Sequence, residues 1–277
     1  MKDNFVVNFA PTGMIPTKEM TSHVPITCEE IIADVHDAIE EQLVTMVHLH
    51  ARDEDGKPTY KKEVYKKIIY GIRQLDEKII ITVSTSGRIW NDFASRSECL
   101  EISGDLKPDM ASLTLSSLNF NKQASMNSPE MIVDLALKMK ENGIKPELEA
   151  FDIGMINYAK YLGTKGILEY PFYINLILGN ISCAQPNMLS LGMMINDLPE
   201  RTFWSVGGVG DCQLQMNVEA LINGGGVRVG IEDNIFYDKR RKKLAKNIDL
   251  LRRIRKISKA MEKEIWDSSS FRKEIFV

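Results

Sequence analysis

About eight times along the chain, a short run of β-branched and other apolar residues is followed by a stretch whose apolar positions recur at helical spacing. That alternation is the strongest constraint on what the chain can fold into, because strands joined through helices must run parallel and be covered on both faces. The strands are expected near residues 6–10, 44–53, 79–84, 110–115, 145–151, 172–178, 202–206 and 224–233. The helices are expected near 27–42, 61–75, 96–102, 129–142, 155–162, 186–195, 212–222 and 240–264. Thr27 with Glu30 three residues later reads as a capping box, and Gly143 as a helix stop. Eight such units in 277 residues predict a (β/α)8 TIM barrel, an α/β fold, with a doubly wound open sheet as the alternative. No repeat, low-complexity tract or linker interrupts the alternation, so residues 1–277 are read as a single barrel domain ending in a basic amphipathic helix.

Composition narrows the function. A net charge of -3 gives no general attraction to nucleic acid or anionic lipid. No apolar run reaches the ~18 residues that would span a bilayer. The N-terminus lacks a secretory apolar region and enters a strand almost at once, so a soluble, cytoplasmic protein is expected. Cys28, Cys99, Cys183 and Cys212 are scattered and form no Cys-x-x-Cys pair, which argues against a zinc ribbon or redox motif. Residues 239–263 carry twelve Lys and Arg against Asp249 and Glu262. Leu244, Ile248, Leu251, Ile254, Ile257 and Met261 make an apolar stripe through that run, so it reads as the solvated or subunit-facing side of the closing helix rather than a nucleic-acid surface.

A barrel brings the C-terminal ends of its strands to one face, where catalytic groups collect. The second strand ends Val47-His-Leu-His50, and alternation projects His48 and His50 the same way. Two imidazoles on one face suit a metal ion, and equally suit hydrogen-bonded residues at a strand end. A third ligand would have to come from elsewhere, and the best-placed candidate is Glu232, expected to share a face with Arg228 and Gly230 on the last strand. Glu147 and Glu149 alternate on one face of the fifth strand, where a buried carboxylate needs a cation, a metal or a partner. Arg228 poses the converse problem, met by a carboxylate such as Asp233 or by that of a substrate. Ser84 and Ser112 also fall near strand ends. The glycines at 207–210 and 224–226 match no phosphate-binding fingerprint and read equally as ordinary turns.

Several motifs together resemble the β-keto acid cleavage enzyme family over nearly the whole chain. They are Ala10-Pro-Thr-Gly13 with Pro16-Thr17, Val24-Pro-Ile-Thr27, Val47-His-Leu-His-Ala-Arg-Asp53 with Gly56, Ser84-Thr85 with Gly87, Leu118-Asn-Phe120, Pro146-Glu-Leu-Glu149 and Arg228-Val-Gly-Ile-Glu-Asp-Asn234. The resemblance implies a (β/α)8 barrel, a homotetramer, and one Zn2+ held by His48, His50 and Glu232. It further implies that Ser84, Ser112, Glu149, Arg228 and Asp233 surround the substrate. The implied reaction converts a β-keto acid and acetyl-CoA into acetoacetate and a new acyl-CoA, without nicotinamide or flavin. Asp233, oriented by Arg228, is the expected base, and Glu149 and Ser84 are expected to position substrate or relay protons.

Three positions depart from the family pattern. Ile15 stands where an ammonium-binding glutamate is found, which predicts neutral or apolar acyl tails in place of cationic ones. Ser86 replaces the first residue of a Gly-Gly pair, and Asp211 lies where coenzyme A phosphates would need a non-acidic neighbour. A zinc hydrolase or metal-dependent aldolase on the same barrel is the rival enzymatic reading, separated by a requirement for acetyl-CoA. A non-enzymatic barrel that binds a small acid would show no turnover at all.

Overall fold

Eight parallel strands close into a barrel in the computed structural model, which describes residues 3–277. They are β1 (Val7–Phe9), β2 (Met46–Leu49), β3 (Ile80–Val83), β4 (Met110–Thr114), β5 (Lys145–Ala150), β6 (Phe172–Leu178), β7 (Thr202–Gly208) and β8 (Gly226–Val229). Each pairs with the next in chain order, and β8 closes on β1 through Val227–Val7, Arg228–Asn8 and Val229–Phe9. The (β/α)8 barrel predicted from the alternation is therefore the fold, and the open sheet is excluded.

The helices form for local reasons that the sequence carries. In α1 (Cys28–Glu40) Thr27 accepts from the Glu30 backbone while the Glu30 carboxylate accepts from Thr27 at 3.2 Å, the reciprocal capping box expected. Ile31, Val35 and Ala38 of that helix are buried against the barrel. Its neighbours are α2 (Lys62–Leu75), the short α3 (Phe93–Ser97), α4 (Pro129–Glu141), α5 (Ile153–Thr164), α6 (Met188–Asn196) and α7 (Gln213–Ile222). The expected helix at 96–102 divides into α3 and a 3-10 turn at Glu98–Glu101. Among the described residues no helix is long and apolar enough to cross a membrane.

Strand alternation splits the core in two. Outward side chains such as Val7, Val47, Ile81, Leu113 and Val227 join the large cluster under the helices. At the N-terminal end of the barrel, Val6, Met46, Ile80, Met110 and Tyr173 pack with Phe271 and Ile275. The last two residues come from α9 (Ser268–Ile275), an element the sequence pattern did not reveal. They stopper the base, so the polar side chains higher in the barrel can be reached only from the strand C-termini.

The chain departs from expectation after β8. The strand stops at Val229, four residues earlier than predicted, and residues 230–234 form a turn stabilised by the Asp233 and Asn234 backbone N–H groups donating to Gly230 O at 3.3 Å. The helix expected over 240–264 is α8 (Asn247–Ala260). Five consecutive cations at 239–243 do not propagate a helix; the Asp238 carboxylate instead accepts the backbone N–H groups of Lys242 and Lys243 at 3.0 and 2.7 Å, holding a turn. Beyond α8, Lys263–Ile265 pairs in parallel with Asp3–Phe5 before α9 begins.

Asn247 at the start of α8 ties three segments together. It accepts from Ile231 N at 2.8 Å and donates to Pro11 O at 3.0 Å and Asp34 Oδ2 at 2.7 Å. Burial raises the Asp34 pKa to about 6 from the ordinary 3.8, with Asp37 and Glu30 adding to the rise and the Asn247 hydrogen bond opposing it. Between those values the folded chain holds a proton that the unfolded chain releases, so this group's contribution to stability is present at low pH and lost as pH rises through about 6. Asp34→Asn keeps an acceptor for Asn247 and removes the titration. The unaltered protein is expected to lose ~1 kcal/mol relative to the variant between pH 4 and pH 7, a figure discounted for solvent screening. A difference in urea midpoints that stays constant across that range would contradict this.

Candidate active site

Inside the barrel the middle layer is polar. Glu147 on β5 is fully buried, and each carboxylate oxygen is used: Oε2 lies 2.9 Å from His48 Nδ1, while Oε1 accepts from Asn8 Nδ2 at 2.5 Å and from Asn175 Nδ2. Burial would raise its pKa, but the charge and hydrogen bond of His48, with Arg228 and Asn8, hold it below the usual carboxylate range. Burial likewise works against a charged His48, and Glu147 outweighs it, lifting that imidazole to about 9. Glu147 thus orients His48 so that Nε2 faces the mouth.

There His48 Nε2 lies 3.3 Å from His50 Nε2, His50 Nε2 lies 3.2 Å from Glu232 Oε1, and His48 Nε2 lies 3.9 Å from the same oxygen. One ligand atom from each residue falls within 4.8 Å of the others. Glu232 comes from the turn after β8 rather than from the strand, yet reaches the histidines as expected. Its Oε2 is buried and has no hydrogen-bond partner among the described residues. A carboxylate with one oxygen 3.2 Å from an imidazole nitrogen and the other left without a partner fits a divalent cation, and nitrogen–oxygen donors of this kind suit zinc with a position left open for substrate.

Arg228 on β8 stands next to this triad. Its Nε donates to Asp233 Oδ2 at 3.0 Å, NH1 to Glu149 Oε1 at 3.2 Å and NH2 to Glu232 Oε1 at 2.6 Å. Burial works against its charge, but Asp233, Glu232, Glu149 and Glu147 together raise its pKa far above the ordinary value. Burial raises the Asp233 pKa, and the charge of Glu232 adds to it against the pull of Arg228. Glu149 also accepts from Thr114 Oγ1 at 2.7 Å, so both ends of its carboxylate are fixed.

The serines divide. Ser84 sits half-buried just past β3, in a recess it shares with His50, Met14, Tyr60 and Trp90, and its Oγ accepts from Ser86 N at 3.3 Å. Ser112 is buried, accepts from Thr85 N at 3.1 Å and takes the Thr85 hydroxyl on its carbonyl at 2.6 Å, holding the turn that carries Ser84. On the loop after β1, Met14 faces the recess and Ile15 keeps 48% of its surface exposed. Lys18 turns away to Glu30 at 2.7 Å, and Asp211 is paired with Arg241 at 3.6 Å.

Asn8, Asn175 and Thr114 were not singled out from the sequence. A polar residue in an apolar run, as in Phe172-Tyr-Ile-Asn-Leu, was the available signal. Arg52 and Arg96 were also passed over: each is buried with its guanidinium on backbone carbonyls, Arg52 on those of Gly13, Pro16 and Gly56, Arg96 on those of Thr85 and Met126.

This arrangement defines an enzyme class: a (β/α)8 barrel with a two-histidine, one-carboxylate cage at its mouth and an arginine-bound carboxylate beside it. The chain belongs to the beta-keto acid cleavage enzyme family, whose model matches residues 4–275. It is 35% identical over 267 residues to the 3-keto-5-aminohexanoate cleavage enzyme of Fusobacterium nucleatum, covering 96% of this chain and 95% of that one. It is also 35% identical over 238 residues to the 3-oxoadipate:acetyl-CoA acetyltransferase of Cupriavidus necator, with 84% and 81% covered. Among solved structures, apo ObcA superposes with a TM-score of 0.78 at 17% identity, covering 91% of this chain and 65% of that one, a likeness of fold.

The role of Glu147 can be separated from that of the ligands. Carboxylates that orient a metal-bound histidine typically contribute about 10- to 100-fold to metal affinity. Glu147→Gln should weaken zinc binding by that factor in a chelator competition while the far-ultraviolet circular dichroism is retained. Unchanged affinity would show that the His48 orientation is set elsewhere.

Proposed function

We propose that the protein transfers acyl groups between a β-keto acid and acetyl-CoA, yielding acetoacetate and a new acyl-CoA, with one zinc ion per subunit held by His48, His50 and Glu232. The observation that carries this reading is the clustering of His48, His50 and Glu232 with their ligand atoms within 4.8 Å of one another, one residue away from a carboxylate clamped by Arg228. Acetyl-CoA as co-substrate is supported by the relative from Cupriavidus necator, whose name specifies it. A divalent ion in the cage supplies Lewis acidity, making the carbon between the ketone and carboxylate of the substrate acidic.

The protein's own groups then divide the work. Asp233 takes the proton, being buried and fixed by Arg228 Nε at 3.0 Å. The carbanion attacks the carbonyl carbon of acetyl-CoA, a carbon–carbon bond forms, and coenzyme A leaves as thiolate. The thiolate adds to the original ketone of the substrate and the adjacent carbon–carbon bond breaks. Asp233 returns the proton to the departing acetoacetate carbanion, and the other acyl group leaves as its coenzyme A thioester. Glu149, fixed by Thr114 and Arg228, and Ser84 at the rim position the substrate or relay the proton. Ser112 acts on the substrate through the turn it holds, and Ile15 offers an ammonium tail no partner. We place the enzyme in the cytoplasm as a homotetramer; the exposed Met188, Leu189 and Met193 of α6 support burial of that face between subunits.

The test is to incubate zinc-loaded protein with acetyl-CoA and a panel of β-keto acids and identify products by mass spectrometry. A new acyl-CoA with stoichiometric acetoacetate is expected; cleavage of the keto acid without acetyl-CoA would overturn the reading. Within the site, Arg228 and Asp233 should act as one unit, so the Arg228→Ala/Asp233→Ala double variant should be little slower than either single variant. Losses in kcat/KM that multiply would assign them separate roles.

A further inference from the structure

The Ser84–Arg88 turn after β3 is unusually well fixed. Arg96 donates to Thr85 O at 2.8 Å, to Met126 O at 2.8 Å and to Asn127 Oδ1 at 2.7 Å, and Met126 N donates to Gly87 O at 3.1 Å. Gly87 leaves no room for adjustment: a Cβ there would lie 2.3 Å from Met126 O. The turn therefore delivers Arg88 to a defined place.

The guanidinium carbon of Arg88 lies over the Phe120 ring, 3.4 Å from its centroid, and Phe120 in turn packs edge-on against Phe151 at 5.9 Å. A cation so stacked is partly stripped of water, yet its N–H groups make no hydrogen bond among the described residues, and no carboxylate there lies within 4 Å. Burial lowers its pKa, and the carboxylates of Glu232, Glu149 and Asp233 act against that, with Arg228 opposing them. Arg88, Phe120 and Phe151 follow the C-terminal ends of β3, β4 and β5, so the stacked guanidinium lies on the same face of the barrel as the triad.

Arg228 already serves three carboxylates, and Lys18 is turned outward to Glu30. Arg88 brings to this face a cation whose guanidinium has no hydrogen-bond partner among the described residues. We infer that Arg88 binds a second carboxylate at the far end of the substrate's acyl tail, so that the enzyme acts on β-keto dicarboxylic acids. The inference rests on the acyl exchange proposed above and replaces the neutral tail that Ile15 alone suggests with an anionic one. A planar guanidinium pairs with a carboxylate through two parallel hydrogen bonds, and the contact with Phe120 holds the group in place beforehand.

The probes are 3-oxoadipate and 3-oxohexanoate, which share a six-carbon chain and differ in the terminal carboxylate. Zinc-loaded protein without acetyl-CoA should bind 3-oxoadipate more tightly by calorimetry. Arg88→Met, which keeps an apolar contact to Phe120, should raise the Kd for 3-oxoadipate ~10²-fold and leave that for 3-oxohexanoate within about threefold. Arg88→Lys should restore part of the preference. With acetyl-CoA present, kcat/KM should follow the same split at unchanged KM for acetyl-CoA. A higher KM for acetyl-CoA with both keto-acid Kd values unchanged would assign Arg88 to the coenzyme A phosphates and overturn the inference. Equal weakening of both acids, or no effect on either, would overturn it as well, leaving Arg88 as packing for the pocket wall. Exchange of both acids without a dicarboxylate preference sinks this inference alone; exchange of neither sinks the acyl exchange and this inference with it.

Discussion

One buried guanidinium holds the mouth of this barrel together. Arg228 projects from the middle of β8 and hydrogen-bonds Asp233, Glu149 and Glu232, three largely buried carboxylates that would otherwise repel one another. Charges at such separations interact by several kcal/mol when partly screened, so the carboxylates depend on a cation between them. The geometry also assigns each a separate place. Glu232 is drawn toward the histidines, Glu149 toward Thr114 on β4, and Asp233 is held on Arg228 Nε. Glycine at 207 on the neighbouring strand leaves room for this side chain, since a Cβ there would come within 3.3 Å of Arg228 Cδ. The apolar base formed around Phe271 and Tyr173 contributes indirectly, because a dry floor keeps the field of these charges unscreened from below.

Much of this was legible before the structure, for identifiable reasons. Alternation of strand and helix patterns is a property of each segment alone, so the barrel followed from counting. His48 and His50 were visible because strand geometry forces residues two apart onto one face. The capping box of α1 was readable for the same reason: all its partners lie within four residues. What could not be read involved distant pairings. The contacts of Glu147 with Asn8 and of Thr114 with Glu149 each join different strands, and only barrel closure brings them together. Arg88 escaped notice because nothing in its local pattern tells a mouth-facing cation from a solvated one. The end of the chain misled because the apolar stripe that begins at Leu244 carried the helix reading back into the basic run, where Asp238 captures the backbone for a turn.

The position of Glu232 shows how a cluster built on strands can take in a residue that no strand supplies. A residue continuing β8 would be carried up the barrel wall, but Gly230 lets the chain fold back: a Cβ there would lie 1.9 Å from Ala10 O, so only glycine allows this approach of the two backbones. The returning turn is met by Gly13, at φ +68, whose missing Cβ would lie 2.6 Å from Glu232 Cγ. Arg52 holds Gly13 from the other side through its carbonyl at 2.7 Å, and Asn247 bridges Pro11 O to Ile231 N. Glu232 is thus placed by two glycines, a buried arginine and an asparagine, and none of these four residues belongs to the His48–His50–Glu232 cluster. Loss of any one would move Glu232 relative to two histidines that β2 and Glu147 keep in place. The precision of the cage therefore depends on the β1 and β8 loops being fastened to each other as firmly as the strands below them.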